Sequence, residues 1–264
     1  MADTTWRTLV TGASSGIGAE YARALRARGE SVVLVARRQE RLAALAAELG
    51  GEPSAVVAAV DLSLDGAAGR LKQQLHDRGL SVDGLVNCAG LGLTGPFASQ
   101  PLPVVRAMCD VNVRAVVELT RLFLPPMLER RRGRIVNVAS NAAFQPIPYL
   151  GVYAATKAFV LSFSEALGDE LRGTGVQVQA LCPGITSTEF LDVSETGGDL
   201  RVRRLPMMTP RQVVLASLDG LERGRSRVVV GLSNRVLAFL AQRLAPGRLA
   251  RGVSGYLYRP RARG

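Results

Sequence analysis

Residues 7–29, RTLVTGASSGIGAEYARALRARG, decide the fold, because they join a short apolar strand to a helix through a glycine-rich loop. The strand is predicted at residues 7–10, and the helix pattern covers residues 19–28 and ends at Gly29. The loop, residues 11–18, contains three glycines, which let the backbone approach a phosphate closely beside a helix N-terminus that attracts anions. An ordinary glycine-rich turn would have the same pattern, so the loop alone does not assign a ligand.

The same order of strand, loop and helix continues along the chain. Apolar runs predict further strands at residues 31–35, 54–60, 84–86, 134–139, 176–181 and 227–230, with helix patterns between them. Strands that alternate with helices form a parallel sheet with helices on both faces. We therefore expect a single-domain α/β fold in residues 1–232, a Rossmann-type doubly wound parallel sheet of about seven strands. A basic helical extension is expected in residues 233–264.

The predicted second strand ends in Arg37 and Arg38. In Rossmann-type proteins an acid at this point binds the ribose 2′-hydroxyl of NAD, whereas an arginine accommodates the 2′-phosphate of NADP. Two arginines and no acid therefore favour NADP(H) over NAD(H). Two solvated arginines at the start of a helix are the alternative. The third strand ends at Asp61, which either binds an adenine amine or caps the next helix.

A second informative stretch, residues 140–157, reads SNAAFQPIPYLGVYAATK. Tyr153 and Lys157 are four residues apart, so they share one face of a helix. Ser140 follows an apolar strand, and open α/β sheets bind ligands at their strand ends. Asn112 lies near the junction of two helical stretches and is either a structural amide or part of a proton path. The alternatives for the others are surface packing of the Tyr/Lys pair and a capping role for the serine.

The net charge of +11 is concentrated at the C-terminal end of the chain. Residues 223–264 contain ten arginines and no acidic residue, which leaves residues 1–222 at +1. A global nucleic-acid-binding surface is therefore not expected. The extension predicts an amphipathic helix from Ser233 and Asn234 to Leu244, with its apolar side formed by Val236, Leu237, Leu240 and Leu244. We expect it to pack on the domain or on a partner subunit rather than on an anionic membrane surface.

We expect a cytoplasmic protein with reduced cysteines and no bound metal. The sequence shows no secretory signal pattern and no apolar run of the roughly 18 residues that would span a bilayer. Cys88, Cys109 and Cys182 are not clustered, and His76 is the only histidine. Neither a disulfide framework nor a His-based metal site is indicated.

The chain resembles the short-chain dehydrogenase/reductase family over about residues 5–232. Each marker is weak alone, but all occur in order at the predicted strand ends: TGASSGIG (11–18), Asp61, NCAG (87–90), Asn112, Ser140, YAATK (153–157) and PGITST (183–188). The resemblance implies a nicotinamide-dependent oxidoreductase that interconverts a carbonyl and a secondary alcohol. It also implies a homodimer or homotetramer.

The resemblance further implies a catalytic tetrad of Asn112, Ser140, Tyr153 and Lys157. Tyr153 is expected to be the general acid or base, and Lys157 with the nicotinamide charge is expected to lower its pKa from about 10. Lys157 would also bind the nicotinamide ribose. Ser140 would donate a hydrogen bond to the carbonyl oxygen, and Asn112 would hold a water that connects Lys157 to solvent.

The expected contacts of NADP(H) are Gly12, Ser14, Ser15, Gly16, Ile17, Gly18, Arg37, Arg38, Asp61, Leu62, Asn87, Ala89, Gly90, Tyr153, Lys157, Pro183, Gly184, Ile185 and Thr188. The expected substrate contacts are Leu93, Ala142, Phe144, Tyr149, Leu191 and Met207, with Leu91, Phe97, Ile147 and Met208 as further candidates. These side chains are mainly apolar, which favours a hydrophobic ketone or alcohol, such as a fatty-acyl or polyketide-like chain. A cofactor-binding sensor or scaffold with a basic, membrane-contacting tail is the alternative function, and isomerisation or dehydration on this fold is a third.

Overall fold

The computed structural model of the chain describes residues 6–190, 206–243, 252 and 255–259. These residues form one seven-stranded parallel sheet in the order β3-β2-β1-β4-β5-β6-β7. The strands are β1 Arg7–Thr11, β2 Ser31–Ala36, β3 Ala55–Ala59, β4 Gly84–Asn87, β5 Gly133–Val138, β6 Val176–Cys182 and β7 Arg227–Val229. The predicted fold class, a doubly wound parallel α/β sheet, is confirmed.

Helices cover both faces of the sheet. They are α1 Gly16–Ala27, α2 Gln39–Glu48, α3 Ala67–Asp77, α4 Leu102–Cys109, α5 Ala115–Glu129, α6 Gly151–Glu170, α7 Pro210–Glu222 and α8 Leu232–Arg243. One face of the sheet packs against apolar side chains of α1, α2 and α7, including Tyr21, Leu25, Leu42, Val213 and Leu218. The other face packs against α3, α5 and α6 through Leu71, Leu75, Leu119, Phe123 and Leu167. Burial on both faces explains why the strands are continuous apolar runs rather than alternating patterns.

The strand order places a crevice at the centre of the sheet. The chain leaves β1 toward β2 on one side, and β4 returns to the other side of β1. Open α/β sheets bind ligands at such a point, outside the carboxyl ends of the strands. The glycine loop after β1 and the residues that follow β4, β5 and β6 therefore converge on one crevice.

Pro125 and Pro126 predict an interruption of the helix in residues 113–130, and this prediction is wrong. Both prolines lie inside α5, which continues to Glu129. A proline in a helix interior removes a hydrogen bond and crowds the preceding turn. Phe123 and Met127 flank the two prolines and are buried in the core, so tertiary packing holds the helix together across them.

The helix of the extension begins earlier than predicted, and one residue of its predicted apolar side is exposed. Ser233 and Asn234 lie inside α8 rather than before it, and Asn234 Nδ2 donates to the Val230 carbonyl at 2.7 Å. Ala238 is buried against the core, whereas Val236, assigned to the packed apolar side, is 50% exposed. Leu244 lies outside the described residues. In the described part of the chain, no helix has both the length and the apolar character needed to cross a membrane.

Candidate active site

The carboxyl ends of the central strands open into a cavity of about 380 Å³. This volume lies in the range of small-molecule and cofactor sites, roughly 300–1,000 Å³. Most of the predicted site residues line it, namely Gly12, Ser14, Ser15, Gly16, Ile17, Gly18, Arg37, Arg38, Asp61, Leu62, Ala89, Gly90, Ser140, Ala142, Tyr153, Lys157, Pro183, Gly184, Ile185 and Thr188. Residues up to 246 positions apart in the chain, such as Gly12 and Tyr258, thus face one space.

The glycine loop is held tightly against the end of β4. Gly12 has φ +68°, and a Cβ atom there would lie 3.0 Å from the backbone of Ala89. A Cβ atom on Gly18 would lie 2.3 Å from the carbonyl oxygen of Gly12, so a larger residue does not fit. Thr11 Oγ1 fixes the same junction by accepting hydrogen bonds from the backbone nitrogens of Cys88 and Ala89 at 2.9 and 3.0 Å. The loop leads directly into the N-terminus of α1, where backbone N–H groups attract an anion.

The two arginines after β2 have different neighbours. Arg38 donates from Nη2 to the Oγ atoms of Ser14 and Ser15 at 3.0 and 3.1 Å, and from Nη1 to Glu189 at 2.9 Å. Arg37 lies near Asp61. Only Arg38 of the pair therefore reaches the glycine loop.

Asp61 lines the cavity and stabilises a turn, but it does not cap the next helix, whose N-cap residue is Gly66. Its Oδ1 atom accepts hydrogen bonds from the backbone nitrogen and the hydroxyl of Ser63 at 2.9 and 2.7 Å. Burial acts to raise the pKa of Asp61, but the Ser63 hydrogen bonds and the Arg37 charge outweigh it and leave the pKa lowered.

Ser140, Tyr153 and Lys157 meet at the other end of the cavity, where β5 ends and α6 begins. Ser140 Oγ accepts a hydrogen bond from the backbone nitrogen of Ala142 at 3.1 Å and is also hydrogen-bonded to Tyr153. Lys157 Nζ lies 5.7 Å from the centre of the Tyr153 ring and donates to the carbonyl oxygen of Val138 at 2.8 Å. The helical spacing of the Tyr/Lys pair and the strand end before the serine thus bring the three groups together.

The pKa of Tyr153 lies above the usual value of a phenol, about 10. Burial raises it to about 12, although the Ser140 hydrogen bond acts to lower it. Burial also lowers the pKa of Lys157 to about 8. The expected lowering of the Tyr153 pKa by Lys157 together with the nicotinamide charge stays a prediction. Lys157 is buried, and its ammonium donates to the Val138 carbonyl rather than to the phenol.

Asn112 lies in a π-helical turn, Asp110–Arg114, that joins α4 to α5. Such turns are frequent at functional sites. Its Nδ2 atom donates to the Leu91 carbonyl and to Thr156 Oγ1 at 2.9 and 3.0 Å, and its Oδ1 atom accepts from the Leu91 nitrogen at 2.8 Å. The side chain thus bonds the backbone next to Gly90, within reach of Lys157. Asn112 thus bonds the backbone, while its expected role in holding a water beside Lys157 stays a prediction.

Several predicted contacts do not line the cavity. Asn87 lies behind it, where its Nδ2 atom donates to Asn137 at 2.8 Å. Leu93 and Phe144 are buried, and Phe144 packs in the core against α5 and α6. Tyr149 adopts φ +68°, and Met207 is 37% exposed. Leu191 lies outside the described residues. Local sequence pattern marks these positions as apolar and close to the motifs, but it does not show which way each side chain points.

The cavity residues that were not predicted include Glu189, Phe190 and Tyr258. The Phe190 ring lies against Tyr153, with 5.5 Å between ring centres. Tyr258 comes from the C-terminal segment and packs with Tyr153 against a small apolar cluster around Leu150. Burial raises the pKa of Tyr258. Tyr258 lies beyond the family motifs, so the only sequence signal was a tyrosine in an arginine-rich segment.

The residues of this cavity fit a dinucleotide. Gly12 and Gly18 leave no room for side chains beside the loop, and the N-terminus of α1 points at the cavity. The guanidinium of Arg38 and the carboxylate of Asp61 line the end of the cavity beside β2 and β3. In the ranges that the structure describes, no group of three His, Cys, Asp or Glu side chains could hold a metal ion.

Proteins with similar sequences carry names of reductases. Ketoacyl reductase HetN of Nostoc sp. is 34% identical over 257 residues, which cover 95% of this chain and 87% of that protein. A very-long-chain 3-oxoacyl-CoA reductase of Phaeosphaeria nodorum is 35% identical over 227 residues. That match covers 83% of this chain and 64% of the reductase, so this chain spans somewhat less than two thirds of its length.

Solved structures show the same architecture. A short-chain dehydrogenase from Sphingobium yanoikuyae in complex with NADPH has a TM-score of 0.80 at 31% identity, covering 93% of this chain and 95% of that one. A short chain dehydrogenase/reductase from Burkholderia phymatum in complex with NAD has a TM-score of 0.79 at 25% identity, covering 89% and 92%. The family model for short chain dehydrogenases matches residues 7–197. This chain belongs to the short-chain dehydrogenase/reductase family, whose members are oxidoreductases.

Proposed function

We propose that this protein is an NADP(H)-dependent oxidoreductase that interconverts a carbonyl and a secondary alcohol on a hydrophobic substrate. The observation that carries the proposal is that Ser140, Tyr153 and Lys157 face the same cavity as the glycine loop. A protein that only binds a dinucleotide has no need of a phenol, a hydroxyl and an ammonium at the far end of the cavity. The three groups together therefore favour an enzyme over a sensor or scaffold.

The glycine loop and the N-terminus of α1 would hold the pyrophosphate, and Asp61 would lie at the adenine end. When bound, the nicotinamide supplies or accepts the hydride. Lys157 is buried close to Tyr153 and has hydrogen-bonding capacity beyond its bond to Val138, so it is the group suited to hold the nicotinamide ribose.

Tyr153 would donate the proton to the carbonyl oxygen during reduction and accept it during oxidation. Its pKa of about 12 in the ligand-free protein keeps the phenol protonated at neutral pH, which suits an acid. Ser140 would donate a hydrogen bond to the same oxygen as negative charge develops there. Asn112 would keep the segment around Leu91 in place beside Lys157.

The preference for NADP(H) is supported by Arg38, which contacts the glycine loop, and by the absence of an acid in residues 36–38. The NADPH complex of the Sphingobium protein agrees with this preference. The NAD complex of the Burkholderia protein shows that the fold also accepts the other dinucleotide. We therefore assign the preference to the residues at the end of β2 rather than to the fold.

The substrate class follows from the lining and from the relatives. Leu91, Leu150 and Phe190 surround the catalytic end, and they favour an apolar group next to the carbonyl. The relatives named above are reductases of ketoacyl and 3-oxoacyl-CoA substrates. We infer that a 3-oxoacyl thioester or a ketone of similar apolar character is the substrate.

We further propose that the enzyme is a cytoplasmic homodimer or homotetramer that binds no nucleic acid. Residues 1–232 would form the catalytic domain. The basic extension, residues 233–264, would pack on the domain or a partner subunit rather than on a membrane surface; its Ala238 and Tyr258 contact the domain.

Steady-state kinetics with NADPH and NADH across a chain-length series of 3-oxoacyl thioesters tests this proposal. We expect kcat/KM to rise with chain length and to be higher with NADPH. Turnover restricted to small charged carbonyls would overturn the substrate class. Equal use of the two dinucleotides would overturn the assigned preference.

A further inference from the structure

Glu189 bridges two arginines at the β2 end of the cavity. Its Oε2 atom lies 2.9 Å from Nη1 of Arg38, and its two carboxylate oxygens lie 2.6 and 2.8 Å from Nη1 of Arg41. Hydrogen bonds from Arg41 and Arg38 lower the pKa of Glu189, so the group is a carboxylate at neutral pH. Both guanidinium groups are thus occupied by one anion that belongs to the protein.

The same guanidinium of Arg38 also reaches the loop after β1. Its Nη2 atom lies 3.0 Å from Ser14 Oγ and 3.1 Å from Ser15 Oγ. Arg38 therefore lies between a loop suited to phosphate and a carboxylate that neutralises the charge of the arginine. A phosphate monoester presents the same kind of acceptor oxygens as a carboxylate and would compete for the same donors.

We propose that Glu189 is a cofactor-specificity-determining residue, because its carboxylate occupies the position on Arg38 and Arg41 that the 2′-phosphate of NADP(H) would take. NADP(H) must displace this carboxylate from the arginines in order to use them. This inference rests on the proposed function, since it requires a dinucleotide in the cavity. The family pattern assigns the preference for NADP(H) to residues at the end of β2. The inference adds Glu189, which follows β6, to those residues.

The effect of Glu189 depends on which dinucleotide binds. NAD(H) carries a hydroxyl at the ribose 2′ position and leaves the ion pairs of Glu189 intact. NADP(H) breaks them and also brings a second negative group close to the carboxylate. The side chains of Arg38 and Glu189 are 44% and 45% exposed, so each ion pair is weak, and together they are worth about a 3- to 10-fold change in an equilibrium constant. Glu189 therefore lowers the preference for NADP(H) without abolishing it.

Calorimetric titration of the full-length protein with NADPH and with NADH measures this effect directly. Glu189→Gln removes the charge and keeps the shape of the side chain. We expect it to tighten NADPH binding by about 3- to 10-fold and to leave NADH binding within about twofold. The gain is expected to shrink in about 0.5 M salt, because the groups are exposed and salt screens them.

Glu48→Gln is the matched control. Glu48 also accepts two hydrogen bonds from an arginine, Arg23, at 2.7 and 2.9 Å, but it lies on the surface of α2 and does not line the cavity. We expect this variant to bind both dinucleotides as the wild type does.

Three results would overturn the inference in different ways. If the wild type bound both dinucleotides but Glu189→Gln left the ratio of their affinities unchanged, the role of Glu189 would be wrong and the proposed function would stand. If the wild type bound neither dinucleotide, the proposed function and the inference would both fail. Tighter binding of NADPH in Glu48→Gln as well would show a general effect of charge, which also contradicts a specific role for Glu189.

Discussion

Lys157 Nζ lies 5.7 Å from the centre of the Tyr153 ring, one turn along α6, and it is directed to the carbonyl oxygen of Val138 at 2.8 Å. The ammonium is held by the end of β5 rather than by the phenol. Burial lowers the pKa of Lys157 to about 8, so the folded protein carries a charge here that it stabilises poorly. This property predicts how the stability of the ligand-free protein depends on pH.

Between about pH 8 and pH 10 the unfolded chain keeps a proton on Lys157 that the folded protein has released. The free energy of unfolding should therefore rise with pH in this window, and the gain should be lost as the pH falls through about 8. Urea denaturation of the wild type and of Lys157→Met at several pH values isolates this contribution, because all other titrating groups are shared. A difference between the two proteins that does not change with pH would contradict the assignment.

Ser140→Ala tests the hydrogen-bond donor at the carbonyl. Removal of one such donor typically lowers kcat by about 100- to 1,000-fold, and we expect a loss in this range. Ser140→Thr keeps a hydroxyl and should recover part of the activity. If kcat of Ser140→Ala stayed within about tenfold of the wild type, Ser140 would be only the residue that caps the turn at Ala142.

Gly18→Ala tests whether the glycine loop is packed too closely to accept a side chain. The added Cβ atom would lie 2.3 Å from the Gly12 carbonyl oxygen, so the loop must shift. We expect a loss of about 1–3 kcal/mol in the free energy of unfolding, measured by denaturation, and a loss of dinucleotide affinity.

Gly69→Ala is the corresponding control, because a Cβ atom on this residue of α3 meets nothing within 4 Å. It should raise stability by up to about 1 kcal/mol, since alanine favours a helix over glycine, and should leave dinucleotide binding unchanged. Equal effects of the two substitutions would argue against a tightly packed loop.

Tyr258→Ala tests the contribution of the C-terminal segment to the substrate end of the cavity. Tyr258 packs with Tyr153 against Leu150 and lines the cavity. Loss of its ring should raise KM for an apolar carbonyl substrate by about 3- to 10-fold, while the Kd of NADPH stays unchanged. Tyr258→Phe should retain the wild-type KM if the ring, rather than the hydroxyl, forms the contact.

Tyr256→Ala is the control for this measurement, because Tyr256 belongs to the same segment but is 61% exposed. It should leave KM unchanged. A rise in KM in Tyr256→Ala as large as that in Tyr258→Ala would mean that the segment as a whole, rather than the Tyr258 contact, determines substrate affinity.

The parts of the fold that local pattern determines were predictable from the sequence. Apolar runs between glycine turns gave the seven strands, and the order of the motifs brought the glycine loop, Ser140 and Tyr153 to one edge of the sheet. Contacts that depend on tertiary packing were not predictable. Pro125 stays helical because its neighbours are buried, and Phe144 turns into the core instead of the cavity.

Contacts between residues far apart in the chain could not be predicted from the sequence either. Glu189 and Arg38 are separated by 151 positions, and no local pattern indicates their ion pair. Tyr258 lies in an extension whose basic composition indicated only that anionic surfaces attract it, not which side chain it places beside Tyr153. In both cases the fold, rather than a motif, brings the side chain to the cavity.

The most direct test of the account is the rate of NADPH oxidation by wild type and by Tyr153→Phe in the presence of a 3-oxoacyl thioester, with the Kd of NADPH measured for both proteins. We expect the wild type to form one alcohol for each NADPH consumed. We expect Tyr153→Phe to bind NADPH equally well but to turn over about 100- to 10,000-fold more slowly, because the proton donor is gone. Undiminished turnover by Tyr153→Phe, or a wild-type protein that binds NADPH but reduces no carbonyl, would contradict the account.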